Sequence, residues 1–112
     1  MEIYHNPRCK KSRDTLKIIE DSGKKVLIKK YLENTPSKEE LKGILNKLNI
    51  TAENLLRKNE IIFKENFKGK NLSEDEWIEV MIKYPKLIER PIVVQGNRAI
   101  IGRPPINVKE LL

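Results

Sequence analysis

The sequence predicts an α/β fold in which helices cover a small mixed sheet, and three observations carry that expectation. Short β-rich runs stand near both ends of the chain, segments of helical period fill its middle, and a two-residue turn signal joins the last two runs. The element order is β-α-β, an inserted helical block, then β-β-α. With 112 residues the chain is long enough for one core. We therefore expect a single domain over residues 1–112 with the helical insertion at about 37–84.

Each element has a local reason. Glu2 to Tyr4 or His5 reads as a first strand, and Asn6-Pro7 breaks it because proline lacks an amide donor and restricts the residue before it. From Lys10 onward Leu16, Ile19 and Glu20 sit at helical spacing, with Gly23 as C-terminal cap. Lys25 to Tyr31 is a strand with an apolar centre, and Asn34-Thr35-Pro36 is loop. Ser37-Lys38-Glu39-Glu40 is a capping box that opens a helix bearing Leu41, Ile44, Leu45 and Leu48 on one face. A shorter helix follows Thr51 and holds Leu55, Leu56 and Arg57. Ser73-Glu74-Asp75-Glu76 is a second capping box, ahead of an apolar face of Trp77, Val80, Met81 and Tyr84 that Pro85 ends. Ile92–Gln95 and Arg98–Ile101 flank Gly96-Asn97, a hairpin signal of the primed-turn type. Asn107 to Glu110 begins a short terminal helix. A β-α-β unit followed by a hairpin and a helix is the thioredoxin-like order.

Composition narrows the function classes. Apolar residues are 38% and charged residues 35% of the chain, a globular mixture. No apolar run approaches the roughly 18 residues of a membrane span. The N-terminal residues lack a signal-peptide pattern, so a cytoplasmic protein is expected. One cysteine, Cys9, and one histidine, His5, leave no internal disulfide, no Cys-x-x-Cys pair and no expected metal site. The net charge of +7 invites a nucleic-acid partner. The lysines, however, are spread along the whole chain among glutamates, and the few aromatics are not interleaved with basic residues as a stacking platform would be. We expect no nucleic acid and no membrane, but a lysine-rich surface able to attract small anions.

The chemistry concentrates at Cys9. It lies past a strand end and at the mouth of a helix, where free amides and the helix dipole favour negative charge. Arg8, Lys10, Lys11 and Arg13 add positive potential, and all of these favour the thiolate, which is the nucleophile. The polar flanks argue against a buried structural cysteine. Ser12 falls on the same side of the first turn, with a hydroxyl free to donate to the sulfur or to a bound oxyanion. His5 either tunes the thiol or holds the loop. Among the arginines, whose planar fork matches a tetrahedral oxyanion, Arg57, Arg90 and Arg103 stand apart from the lysine background. Arg90 and Arg103 directly precede prolines. A thioredoxin-like fold places a cis-proline ahead of its third strand beside the reactive cysteine, and Pro91 stands just before Ile92-Val93-Val94.

Ile3-Tyr4-His5-Asn6-Pro7-Arg8-Cys9-Lys10-Lys11-Ser12-Arg13, with Leu87-Ile88-Glu89-Arg90-Pro91-Ile92 and Gly102-Arg103-Pro104-Pro105, resembles the arsenate reductase family of glutaredoxin-coupled type, and within it a shorter branch. The resemblance spans essentially the whole chain. It implies a thioredoxin-like fold, Cys9 as nucleophile, and Arg57, Arg90 and Arg103 as the oxyanion clamp. Ser12, His5 and Pro91 match supporting positions. It implies reduction of arsenate or a related oxyanion to the trivalent state, with glutathione as co-substrate, glutaredoxin as partner and no bound cofactor. Lys10-Lys11 and Arg8 depart from the small residues that such enzymes carry beside the cysteine. Two other activities are compatible with the resemblance: a glutathione-linked thiol oxidoreductase of the same fold with a different substrate, and an RNA-polymerase-binding transcription regulator. Oxidation-sensing regulators of that kind carry Cys-x-x-Cys, where this chain has Cys9-Lys10-Lys11-Ser12.

Overall fold

A computed structural model describes residues 1–112. Four strands form one sheet in the order β2-β1-β3-β4, with β1 at Glu2–Tyr4, β2 at Leu27–Lys29, β3 at Ile92–Gln95 and β4 at Arg98–Ile101. β1 runs parallel to β2 and antiparallel to β3, and β3 pairs antiparallel with β4. Ile3 stands opposite Ile28 on one side and Val93 on the other. This mixed α/β arrangement is the thioredoxin-like fold. β2 is shorter than its apolar run suggests. As an edge strand it leaves Leu27 and Ile28 exposed, so only its middle residues are held in the ladder. The hairpin turns where expected, with Gly96 at φ +60° and Gln95 opposite Arg98.

The chain divides into two compact units. The first, Met1–Asn34 with Arg90–Leu112, holds the sheet, helix α1 (Lys10–Asp21) and a terminal 3-10 helix at Pro105–Leu111. Its apolar centre is Ile3, Ile19, Val93, Val108 and Leu111, so strand, helix and C-terminal residues share one core. α1 ends as its sequence requires: Gly23 takes φ +81° and its N–H donates to the Glu20 carbonyl at 3.0 Å. The terminal segment is a 3-10 rather than an α-helix. Prolines at 104 and 105 remove two donors at its start, and i→i+3 bonding suits so short a piece.

The second unit, Thr35–Glu89, is helical: α2 (Lys38–Leu48), α3 (Ala52–Leu55), α4 (Ile61–Asn66), α5 (Glu74–Lys83) and a 3-10 turn at Pro85–Leu87. Ser37 caps α2 by accepting from the Glu40 N–H, and Ser73 and Glu76 form the reciprocal capping box of α5. Phe63 stacks on Trp77 at 6.0 Å between ring centres, and Phe67 meets Trp77 and Tyr84 edge-on. A short antiparallel bridge closes the unit. Leu56 pairs with Ile88, Arg57 N–H donates to the Leu87 carbonyl at 2.8 Å, and Glu89 N–H to that of Leu55 at 2.9 Å. No helix is long and apolar enough to cross a membrane.

Candidate active site

Cys9 is placed by the strand before it and the helix after it. At the end of β1, His5 N–H donates to the Lys29 carbonyl at 2.8 Å, which ties the loop to the neighbouring strand. Asn6 then shapes the turn: its side-chain oxygen accepts from the Arg8 N–H at 3.0 Å and its carbonyl from the Cys9 N–H at 3.0 Å. Cys9 is thereby left in extended geometry as the residue capping α1, its carbonyl accepting from the Arg13 N–H. The thiol is half-buried. The sequence marked Asn6-Pro7 only as a strand break; the side-chain turn that Asn6 makes to the Arg8 N–H is the structure's addition.

Ser12 is fully buried and its hydroxyl is engaged on two sides. It lies 2.6 Å from His5 Nδ1 and accepts from the Asn6 N–H at 3.1 Å. The hydroxyl expected to donate to the sulfur or to a bound oxyanion thus fastens His5 to the loop, while the Ser12 backbone supplies a hydrogen bond to the sulfur. Burial lowers the His5 pKa, repulsion from Lys30 and Arg13 lowers it further, and Glu20 opposes them. The neutral form of the imidazole is thus favoured, and a neutral ring has one nitrogen able to accept a hydrogen bond from the Ser12 hydroxyl.

Two arginines flank the sulfur. Arg103 donates from Nε to the Arg90 carbonyl at 2.8 Å and brings Nη2 to 3.5 Å from Cys9 Sγ. Arg90 donates a side-chain hydrogen bond to the same sulfur. Burial would raise the thiol pKa. The Ser12 amide, the Arg90 hydrogen bond and the charges of Arg90 and Arg103 outweigh it, and the thiol lies below its ordinary value. The flanking Lys10 and Arg13 are otherwise occupied, Lys10 with Asp14 at 2.8 Å and Arg13 with the Pro7 carbonyl at 2.9 Å.

Arg103 is held in place by glycine at 102. Gly102 N–H donates to the Pro91 carbonyl at 2.9 Å, and Thr15 Oγ1 reaches the Gly102 carbonyl at 3.4 Å. A Cβ on residue 102 would lie 2.5 Å from Thr15 Oγ1 and 2.8 Å from Pro91 Cγ, so no side chain fits. The Arg90-Pro91 bond is cis, as is Arg103-Pro104, which the sequence had not marked. The first unit thus gathers Cys9, His5, Ser12, Arg90, Pro91 and Arg103. Arg57 belongs to the second unit, where its Nε lies 3.5 Å from Glu60 and its buried Nη1 has no hydrogen-bond partner. A thiol whose ionised form is favoured by preorganised guanidinium donors can attack an electrophilic centre bearing negative oxygens, and the same donors can neutralise those oxygens.

Comparison with known proteins places the chain in a family. The sequence model of the ArsC family matches residues 4–111. The uncharacterised protein YfgD of Escherichia coli K12 is 42% identical over 114 residues, covering 100% of this chain and 96% of that one. The arsenate reductase of Haemophilus influenzae Rd is 41% identical over 112 residues, covering 98% and 97%. Among solved structures, the arsenate reductase from Vibrio cholerae superposes with a TM-score of 0.94 at 45% identity, covering 100% of this chain and 98% of that one.

Proposed function

Because the chain belongs to the ArsC family, we propose that it reduces arsenate to arsenite with glutathione and glutaredoxin, Cys9 acting as nucleophile and Arg57, Arg90 and Arg103 as the oxyanion clamp. The observation that carries this reading is the pair of guanidinium groups directed at one thiol, Arg103 Nη2 at 3.5 Å and Arg90 through a hydrogen bond. The buried Nη1 of Arg57, a donor without an acceptor, suits an incoming anion. Cys9 is the only cysteine, so the second thiol comes from outside the chain.

The Cys9 thiolate attacks As(V), forming an S–As bond while one arsenate oxygen leaves as water. Glutathione then displaces a second arsenic oxygen, which leaves as water, and forms its own S–As bond. The two sulfurs join as a Cys9–glutathione disulfide, one bonding electron pair stays on arsenic, and As(III) takes up one water and departs as arsenite. In sum, arsenate, the Cys9 thiol and glutathione give arsenite, the mixed disulfide and one water. Glutaredoxin exchanges thiol for disulfide and restores Cys9. Arg90 and Arg103 stabilise the charge on oxygen and sulfur throughout, Ser12 and His5 hold the loop that carries the thiol, and Pro91 sets the backbone beside it. No bound cofactor takes part. The cycle belongs in the cytoplasm, where glutathione keeps thiols reduced.

A coupled assay with arsenate, glutathione, glutaredoxin and NADPH tests the proposal. Wild type turns over and Cys9→Ser falls to the uncatalysed rate. Turnover that survives in Cys9→Ser overturns it.

A further inference from the structure

A cavity of about 260 Å³ lies in the first unit on the β2 side of the cysteine loop. The loop from His5 to Arg8 forms one wall, and Lys30, Leu32 and Glu33 form the other. Both walls are fixed by backbone bonds. His5 N–H is tied to Lys29, Arg8 N–H to the Asn6 side chain, and the amides of Glu33 and Asn34 both donate to the Lys30 carbonyl. The cavity is therefore formed before any ligand arrives, and it lies close to the lower end of small-molecule sites in size.

Its charges are of mixed sign. Arg8 and Lys30 bring two cations, Glu33 one anion, and Pro7 and Leu32 supply apolar surface between them. A bare oxyanion meets repulsion from Glu33, and a bare cation meets it from Arg8 and Lys30. A small molecule with carboxylate and ammonium groups at separate ends satisfies both signs at once. Position narrows the class further. Arg8 is the residue next to Cys9, with Cα atoms about 3.8 Å apart, whereas a tripeptide-sized molecule extends about 10 Å. A tripeptide lodged in this cavity is therefore long enough to span the one-residue step from Arg8 to Cys9.

We propose that this cavity seats glutathione, its carboxylates on Arg8 and Lys30 and its ammonium on Glu33, so that its thiol is delivered to the arsenic adduct on Cys9. The assignment rests on the glutathione-dependent reading above for its chemistry but not for its test. S-methylglutathione carries the same charged groups with a sulfur that cannot react, and its binding is followed by amide chemical shifts of the intact protein. Saturable shifts are expected in the His5–Arg8 loop and at Lys30–Glu33, with Lys30→Glu weakening binding by at least about fivefold. Glu33→Gln, a milder change, weakens it less, and the diethyl ester of the probe binds more weakly than the free acid. In the coupled assay Lys30→Glu raises KM for glutathione by a similar factor and KM for arsenate by less. Absence of saturable shifts, shifts confined to another face, or equal affinity in wild type and Lys30→Glu overturns the assignment. Binding in the cavity without any arsenate turnover refutes the proposed reaction and leaves the cavity assigned.

Discussion

In the sheet-bearing unit the buried residues include His5, Asn6, Ser12 and Thr15 beside the apolar core, whereas those of the helical unit run from Leu41 through Phe63 and Trp77 to Ile88 and are apolar or aromatic. Burying a polar group costs about 1–3 kcal/mol unless it is hydrogen-bonded. The first unit meets that cost with specific bonds: Ser12 to His5 and Asn6, and Thr15 to the carbonyls of Lys11 and Gly102. These bonds define the position of one sulfur and the guanidinium groups beside it. The helical unit, by contrast, gains its order from ring stacking and caps. The difference teaches where to look for chemistry in a small chain: polar burial that is fully bonded marks the atoms whose placement matters, and apolar burial marks scaffold.

Substitutions in the two units separate these roles. The largest effect is expected from Arg103→Lys, since lysine cannot hold the Arg90 carbonyl and reach Cys9 at the same time. Turnover in the coupled assay should fall by about 10²–10³-fold, the loss typical of one preorganised donor, with little change in thermal stability. Gly102→Ala comes next. The added methyl displaces Thr15 and Pro91, lowers stability by about 1–3 kcal/mol in denaturant unfolding, and reduces turnover because Arg103 moves with its neighbour. Phe63→Leu in the helical unit removes two ring pairs and should lower stability by about 1–2 kcal/mol, with the pH profile of Cys9 alkylation unaltered. Ser73→Ala removes the α5 cap and costs about 1 kcal/mol, again without changing that profile. Should either helical-unit variant shift the thiol profile, the division of labour drawn here is wrong.

The same contrast explains what the sequence alone revealed. Local signals were read directly: the Asn6-Pro7 break, the serine cap at Ser37 and the capping box at Ser73, the Gly96-Asn97 turn, and Cys9 at the mouth of a helix. Contacts between distant residues were not. That Gly102 is needed because Thr15 and Pro91 press on it, or that Arg103 is aimed by the Arg90 carbonyl, depends on residues 11 to 87 positions away. The Ser12 hydroxyl was offered to the sulfur or to a bound oxyanion because spacing cannot tell that it is buried against His5. Helix α4 escaped notice because Ile61-Ile62-Phe63 is an apolar run without period, of which only Phe63 is buried while Ile61 stays 69% exposed.

The central claim is that the Ser12 amide, Arg90 and Arg103 favour the thiolate of Cys9 and hold its pKa below the ordinary value. An acid stabilised in its charged form loses its proton at lower pH, so the rate of Cys9 alkylation, followed by mass spectrometry, should rise with pH to an inflection below about 8.5, the value of an unperturbed thiol. In Arg90→Ala that inflection should move upward. An inflection at or above the unperturbed value in wild type, or one that Arg90→Ala leaves in place, contradicts the account.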